Sequence, residues 1–137
     1  MAERKTLTFA IMDAPYESAR STTALRLIDL AVRRGYDVNV FAYEGAVAVP
    51  FARQQPHANA VHGRNLEEED HPNPKDWVRG LFELAAREGR RLEWVNCGLC
   101  VDERGVEKQA EGARRGSPAD FWKMAEASDG LLFIATR

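Results

Sequence analysis

Two cysteines stand three residues apart in the string Val95-Asn96-Cys97-Gly98-Leu99-Cys100. In a chain expected to be cytosolic, a Cys-x-x-Cys pair points to redox, catalytic or metal chemistry rather than to a structural staple. All of these chemistries use the thiolate, whose fraction rises near positive charge and near the N-terminus of a helix. Arg104 follows within the same segment, and Arg114 and Arg115 lie a little further on, so a positive potential beside a sulfur anion is available. The histidines His57, His62 and His71 fall together in one polar stretch and could complete a zinc site begun by the two thiols. No second Cys-x-x-Cys is present. The other polar cluster is Asp13 to Thr23, with Tyr16, Ser18, Ser21, Thr22 and Thr23; its hydroxyls suit a helix cap or an anion, though it has no glycine for close backbone approach to a pyrophosphate.

The surrounding pattern says which elements must hold these groups. Thr6 to Met12 is β-forming and apolar, and reads as a strand ending near Asp13-Ala14-Pro15. Ser21-Thr22-Thr23 offers an N-cap to a helix with Ala24, Leu27, Ile28 and Ala31 at helical spacing, closed by Arg33-Arg34-Gly35. Asp37 to Tyr43 is a second strand, which makes a βαβ unit and hence a parallel sheet with a right-handed crossover. Ala46 to Val49 either extends that strand or begins a helix. Residues 53–76 hold Pro56, Pro72 and Pro74, the three histidines and the acidic run Glu67-Glu68-Glu69-Asp70, and read as a long surface loop.

Asn73-Pro74 opens a helix whose stripe is Trp77, Leu81, Leu84 and Ala85, widened by Val78 and Phe82 and ended by Gly89. Arg91 to Asn96 is a third strand, running straight into Cys97, and Val101 to Gly105 a short helical turn. Ser117-Pro118-Ala119-Asp120 caps a helix carrying Phe121, Met124, Ala125 and Ser128, and Leu131 to Ala135 reads as a last buried strand. Trp77, Trp94, Trp122 and Phe51 are core candidates. The expected architecture is a three-layer α/β/α sandwich with a mainly parallel sheet of four or five strands, in a single domain over residues 1–137. Ligands of such sheets bind outside the carboxyl ends of the strands, which is where Asp13 to Ser21, Glu44 to Ala46 and Cys97 to Cys100 emerge.

Composition agrees with a globular chain. Of 137 residues, 45% are apolar and 29% charged, enough for a core. The formal charge is -2, from 19 basic and 21 acidic side chains, which does not favour generic nucleic-acid binding. No apolar run approaches the ~18 residues of a membrane span. The start, Met1-Ala2-Glu3-Arg4-Lys5, carries no cleavage-type signal, so a cytoplasmic location is expected, with neither membrane nor nucleic acid as partner and no cofactor.

The segment Val95-Asn96-Cys97-Gly98-Leu99-Cys100-Val101-Asp102-Glu103-Arg104-Gly105-Val106 resembles the cysteine segment of the DsrE/DsrF-like family, in which a strand ends in a cysteine and a short helix leads to an Arg-Gly pair. The likeness extends to Leu7 to Gly35, to Gly116-Ser117-Pro118-Ala119-Asp120-Phe121 and to the closing strand, but not to the loop 53–76. It implies a TusD-like sulfur carrier. Cys97 would take the place of the cysteine that holds sulfane sulfur as a persulfide, and Cys100 that of the extra cysteine of Cys-x-x-Cys members, able to capture the intermediate as a disulfide and release sulfide. Asp13 and Tyr16 would wall the cysteine pocket, and Arg104 would add positive charge. Donor and acceptor proteins, and a homo-oligomeric assembly, are the implied partners. A Cys-x-x-Cys thiol-disulfide oxidoreductase and a non-catalytic oligomeric subunit are the alternatives.

Overall fold

The computed structural model describes residues 3–58, 60–69 and 73–136. Among these residues one parallel sheet has five strands: β1 (Thr6–Ile11), β2 (Asp37–Ala42), β3 (Leu92–Cys97), β4 (Ala113–Gly116) and β5 (Gly130–Ile134). Their spatial order is β4-β3-β2-β1-β5. Ala42 of β2 stands beside both Ile11 and Asn96, and Cys97 stands beside Gly116. The central strand β2 is buried at every position, as a parallel strand covered on both faces must be.

Helices α1 (Ala19–Arg33) and α3 (Pro74–Glu88) cover one face of the sheet. Their Ala24, Leu25, Ile28, Leu81, Leu84 and Ala85 meet Phe9, Ile11, Val38, Val40 and Trp94 from β1, β2 and β3. The alternate residues Phe41, Val95 and Cys97 point to the other face, where Met124 and Phe121 of α5 (Pro118–Ala127) pack. This is the expected three-layer sandwich. The long connection between β2 and α3 carries two 3₁₀ turns, Glu44–Ala48 and Ala60–His62, and the one-turn helix α2 (Leu66–Glu69), while Gly98–Arg104 forms α4 between β3 and β4.

Several local expectations hold. Pro74 opens α3 and Gly89, with φ +65°, ends it. Ser117 and Asp120 form a reciprocal capping box at the start of α5. Others are corrected. The cap of α1 is Ser18, not the hydroxyls at 21–23: its Oγ accepts the Arg20 N–H at 3.1 Å, which starts the helix at Ala19. The expected loop 53–76 contains the turn Ala60–His62 and helix α2, and Asp70, His71 and Pro72 lie outside the described residues. The fifth strand was not expected at Ala113-Arg-Arg-Gly because the segment has no apolar alternation; edge strands tolerate such charge.

The last strand is an edge, not a buried strand. Leu132 and Ile134 turn toward the α1 side, and Leu131 and Phe133 are left 47% and 53% exposed. Of the aromatic core candidates, Trp94 is fully buried and Trp77 and Phe51 half-buried. Trp122 is 70% exposed because it lies on the outer side of α5.

Candidate functional site

The site begins where β3 stops. Cys97 is both the last residue of β3 and the N-cap of α4, so the helix starts at once after the strand rather than at Val101. Its side chain is 8% exposed and lies among Phe41, Val47, Val95, Val101 and Met124. Gly105, at φ +65°, closes α4 after a single seven-residue stretch. So short a helix has little macrodipole, and the positive charge near Cys97 comes from a side chain instead.

That side chain is Arg115, from β4. Its guanidinium lies over Gly98: a Cβ at that position would come within 2.7 Å of Arg115 Nε and 3.0 Å of its Cζ. The fork is fixed by Asp102 of α4, with Nη1 donating to Oδ1 at 2.8 Å and Nη2 to Oδ2 at 2.5 Å. Hydrogen bonding to Arg115 holds the Asp102 carboxyl below the usual carboxylate range. Arg115 is in turn held more firmly protonated by Asp102 and, to a lesser extent, by attraction to Cys97. Arg114, its neighbour, turns elsewhere, to Glu93 and Asp120.

Cys100 is one turn along α4 and half-buried. Its Sγ accepts the backbone N–H of Glu44 at 3.2 Å. Burial pushes the Cys100 thiol up; the Glu44 N–H pulls it back, and the side chain of Cys97 and the charge of Glu44 push it further up. Glu44 adopts φ +51°, a left-handed conformation that is uncommon outside glycine and occurs at functional and strained positions. The residue after it must be small, since a Cβ on Gly45 would lie 2.8 Å from the Ala14 Cβ.

Arg104 joins these pieces. It donates to the Cys100 carbonyl at 3.3 Å and to Glu44 Oε2 at 3.1 Å. It therefore holds the segment around Cys100, whereas the arginine against Cys97 is Arg115. Asp13 is buried; it accepts from the Ser18 hydroxyl and lies 3.7 Å from Arg20. Asp13, Glu17, Glu44, Arg104 and Thr136 line one open cleft of about 480 Å³ at the carboxyl edge, centred on the end of β1 and reaching to the ends of β2 and β5 on either side. Tyr16 is elsewhere. It lines a separate cavity of about 250 Å³ with Leu25, Val49, Pro74 and Trp77, and its ring meets His57 edge-on at 5.7 Å.

The structure thus brings Cys97, Cys100 and Arg104 together, sets Asp13 across the cleft from Arg104, and separates Tyr16 from them. Glu44, Gly98 and Asp102 were not singled out by sequence reasoning; only the position of Glu44 just past a parallel strand pointed to it. Among the described residues no group of three or more His, Cys, Asp or Glu could hold a metal ion, and His71 lies outside them. No helix among the described residues is long and apolar enough to cross a membrane.

Comparison with known proteins places the fold. The chain is 28% identical over 127 residues to an uncharacterized protein of Methanocaldococcus jannaschii, covering 91% of this chain and 96% of that one. It is 26% identical over 130 residues to another from Methanopyrus kandleri, covering 93% of each. The crystal structure of the ychN protein from E. coli superposes with a TM-score of 0.69 at 21% identity, over 96% of this chain and 99% of that one, and so shares the fold. A conserved protein of unknown function from Bacteroides thetaiotaomicron follows with a TM-score of 0.57 at 10% identity and 94% coverage of both chains. The model of the DsrE/DsrF-like family matches residues 5–133, from the start of the first strand to the last, and the chain belongs to that family.

Proposed function

We propose that the protein carries sulfane sulfur as a persulfide on Cys97 and relays it to a partner protein. The family is generally implicated in sulfur relay. The observation that carries the reading to this chain is Arg115, fixed by Asp102 and laid across Gly98 so that its charge acts on Cys97.

In the first step the Cys97 thiolate attacks the outer sulfur of a donor persulfide. A new S–S bond forms on Cys97, and the donor's own sulfur leaves with the electron pair of the broken bond. In the second step the thiolate of an acceptor attacks the outer sulfur of the Cys97 persulfide, and Cys97 leaves as a thiolate. Neither step consumes an oxidant or a reductant. Arg115 stabilises the anion on Cys97 before and after each transfer.

Partner contact and self-assembly would use the face around α5 and β5. Trp122, Leu131 and Phe133 are large, apolar and exposed there, and Leu99 of α4 is 68% exposed next to the cysteines. Such surplus apolar surface marks interfaces.

The test is mass spectrometry after incubation with inorganic polysulfide. An adduct of about 32 Da, the mass of one sulfur, is expected on Cys97 and is expected to vanish in Cys97→Ser. A protein that stays unmodified at both cysteines would rule the carrier reading out.

A further inference from the structure

The amino edge of the sheet, a strand's length of about 20 Å from the cysteines, carries a second concavity. It is a cleft of about 640 Å³ lined by Arg4, Lys5, Arg34, Tyr36 and Arg90, with Glu3 as the one carboxylate in its wall. Cations stand here for a local reason. Helices α1 and α3 both run toward this edge, and Arg34 and Arg90 follow their last turns, where the negative ends of the helix dipoles favour positive charge. A dipole end leaves guanidinium donors unused. Among the described residues, the side chains of Lys5, Arg34 and Arg90 make no hydrogen bond and no ion pair. Arg90 is nevertheless half-buried, and its guanidinium lies over Gly35, with Cζ 4.0 Å from where a Cβ at that glycine would stand. A cation that gives up part of its hydration ordinarily takes an acceptor in return. Three other arginines of this edge have done so: Arg4 with Asp37, Arg33 with Asp29 and Arg91 with Glu93. The unspent charge gathers in one concavity bordered by these neutralised pairs.

We propose that this cleft binds a compact anion carrying two or more phosphoryl groups, held by Lys5, Arg34 and Arg90. Two guanidinium forks and an ammonium around one concavity offer many N–H donors and almost no acceptor. Their complement is an anion of high charge density with several oxygens, which linked phosphoryl groups supply. Each guanidinium takes two oxygens of one phosphoryl group side by side, and Lys5 adds a point charge. The volume of the cleft is that of a small-molecule site. A nucleic-acid backbone needs cations spread along a face, and here Asp29, Asp37 and Glu93 already neutralise the arginines on either side. Occupancy of this cleft is independent of the sulfur chemistry proposed for the opposite edge.

The experiment is isothermal titration calorimetry of the full chain at low ionic strength with sodium tripolyphosphate, with ATP, citrate and an oligouridylate as further titrants. Saturable one-to-one binding of tripolyphosphate is expected, weakening as salt is added. Arg34→Gln and Arg90→Gln are each expected to weaken it roughly tenfold or more, since each removes charge-assisted hydrogen bonds. Arg26→Gln, exposed on α1 and outside the cleft, is expected to change it by less than about twofold. A rise in the thermal midpoint of the wild type with tripolyphosphate is a readout that does not depend on the variants folding. ATP binding more tightly than tripolyphosphate supports the site as one for a nucleotide, and equal affinities support it as one for an inorganic polyphosphate. Absence of tripolyphosphate binding, unchanged affinity in both cleft variants, or an equal loss in Arg26→Gln overturns the proposal. So does citrate binding as tightly as tripolyphosphate, or an oligouridylate that binds where tripolyphosphate does not.

Discussion

Replacing Gly98 by alanine probes the arginine laid over the start of α4, Arg115. The new Cβ would sit 2.7 Å from Arg115 Nε, where ordinary contact begins at 3.4 Å, so the guanidinium must move by at least 0.7 Å. The move disturbs its short bonds to Asp102, at 2.8 and 2.5 Å. The atoms in the way belong to a flexible, exposed side chain and not to backbone, so the fold absorbs the change. Gly98 is the first residue of α4, and alanine there gains up to about 1 kcal/mol of helix propensity. The exposed Arg–Asp pair contributes little to stability in return. Thermal stability is therefore expected to stay level or to rise, while Arg115 is displaced from its place over the start of α4. The assay is the alkylation rate of Cys97 by iodoacetamide near neutral pH, read by mass spectrometry in a Cys100→Ser background. Arg115→Gln is expected to slow it by up to roughly fivefold, the attraction of one unit charge at close range in a water-rich setting, and Gly98→Ala, which displaces that charge without removing it, by less; the double variant should match Arg115→Gln, because both changes act on the same charge. Single variants that alkylate at the parent rate, or effects that multiply in the double variant, would refute this account of Arg115.

Three further outcomes follow from the structure. Asp37 accepts from Arg4 Nε at 2.6 Å, Arg4 Nη2 at 2.8 Å and the Arg91 N–H at 2.8 Å, and Asp37→Ala is expected to cost about 2–3 kcal/mol at neutral pH in urea melts. Its hydrogen bond to Arg4 holds the carboxyl below its ordinary 3.8, so this stabilisation is fully present above that value and is lost as pH falls through the lowered pKa. The gap between wild type and variant should therefore close in strong acid; a gap that stays constant with pH argues against the assignment. Trp94 is fully buried and donates from Nε1 to Asn96 Oδ1 at 3.1 Å, so Trp94→Phe should destabilise by about 2–4 kcal/mol through a cavity and an unpaired amide oxygen. Trp122→Lys combined with Phe133→Lys should lower the mass of any assembly measured by light scattering while leaving the circular dichroism unchanged; an unaltered mass would remove the α5–β5 face as the interface.

What could be read from the residues alone, and what could not, divides along a physical line. Thr6 to Ile11, Asp37 to Ala42 and the helix beginning at Pro74 are legible because periodic apolar residues and terminal glycine and proline act locally. The pair Cys97 and Cys100 is legible for the same reason: spacing along one chain segment fixes their mutual placement. Arg115 is only half legible: it stands among the arginines expected to bring positive charge, but its choice over Arg114 and its position over Gly98 depend on a four-residue edge strand, Ala113–Gly116, whose only sequence sign is that pair of arginines. Glu44 is hidden likewise, since its N–H meets Cys100 only once β2 and β3 lie side by side with Ala42 beside Asn96. Tyr16 shows the converse error. It leaves the same strand end as Asp13, yet its left-handed backbone, φ +71°, accompanies a side chain placed in the cavity with Trp77. The groups that distinguish a reactive thiol from a buried one are thus contributed across the sheet. A Cys-x-x-Cys spacing can mark where sulfur chemistry takes place, but the register of β2, β3 and β4 decides which thiol is given a cation and which an N–H donor.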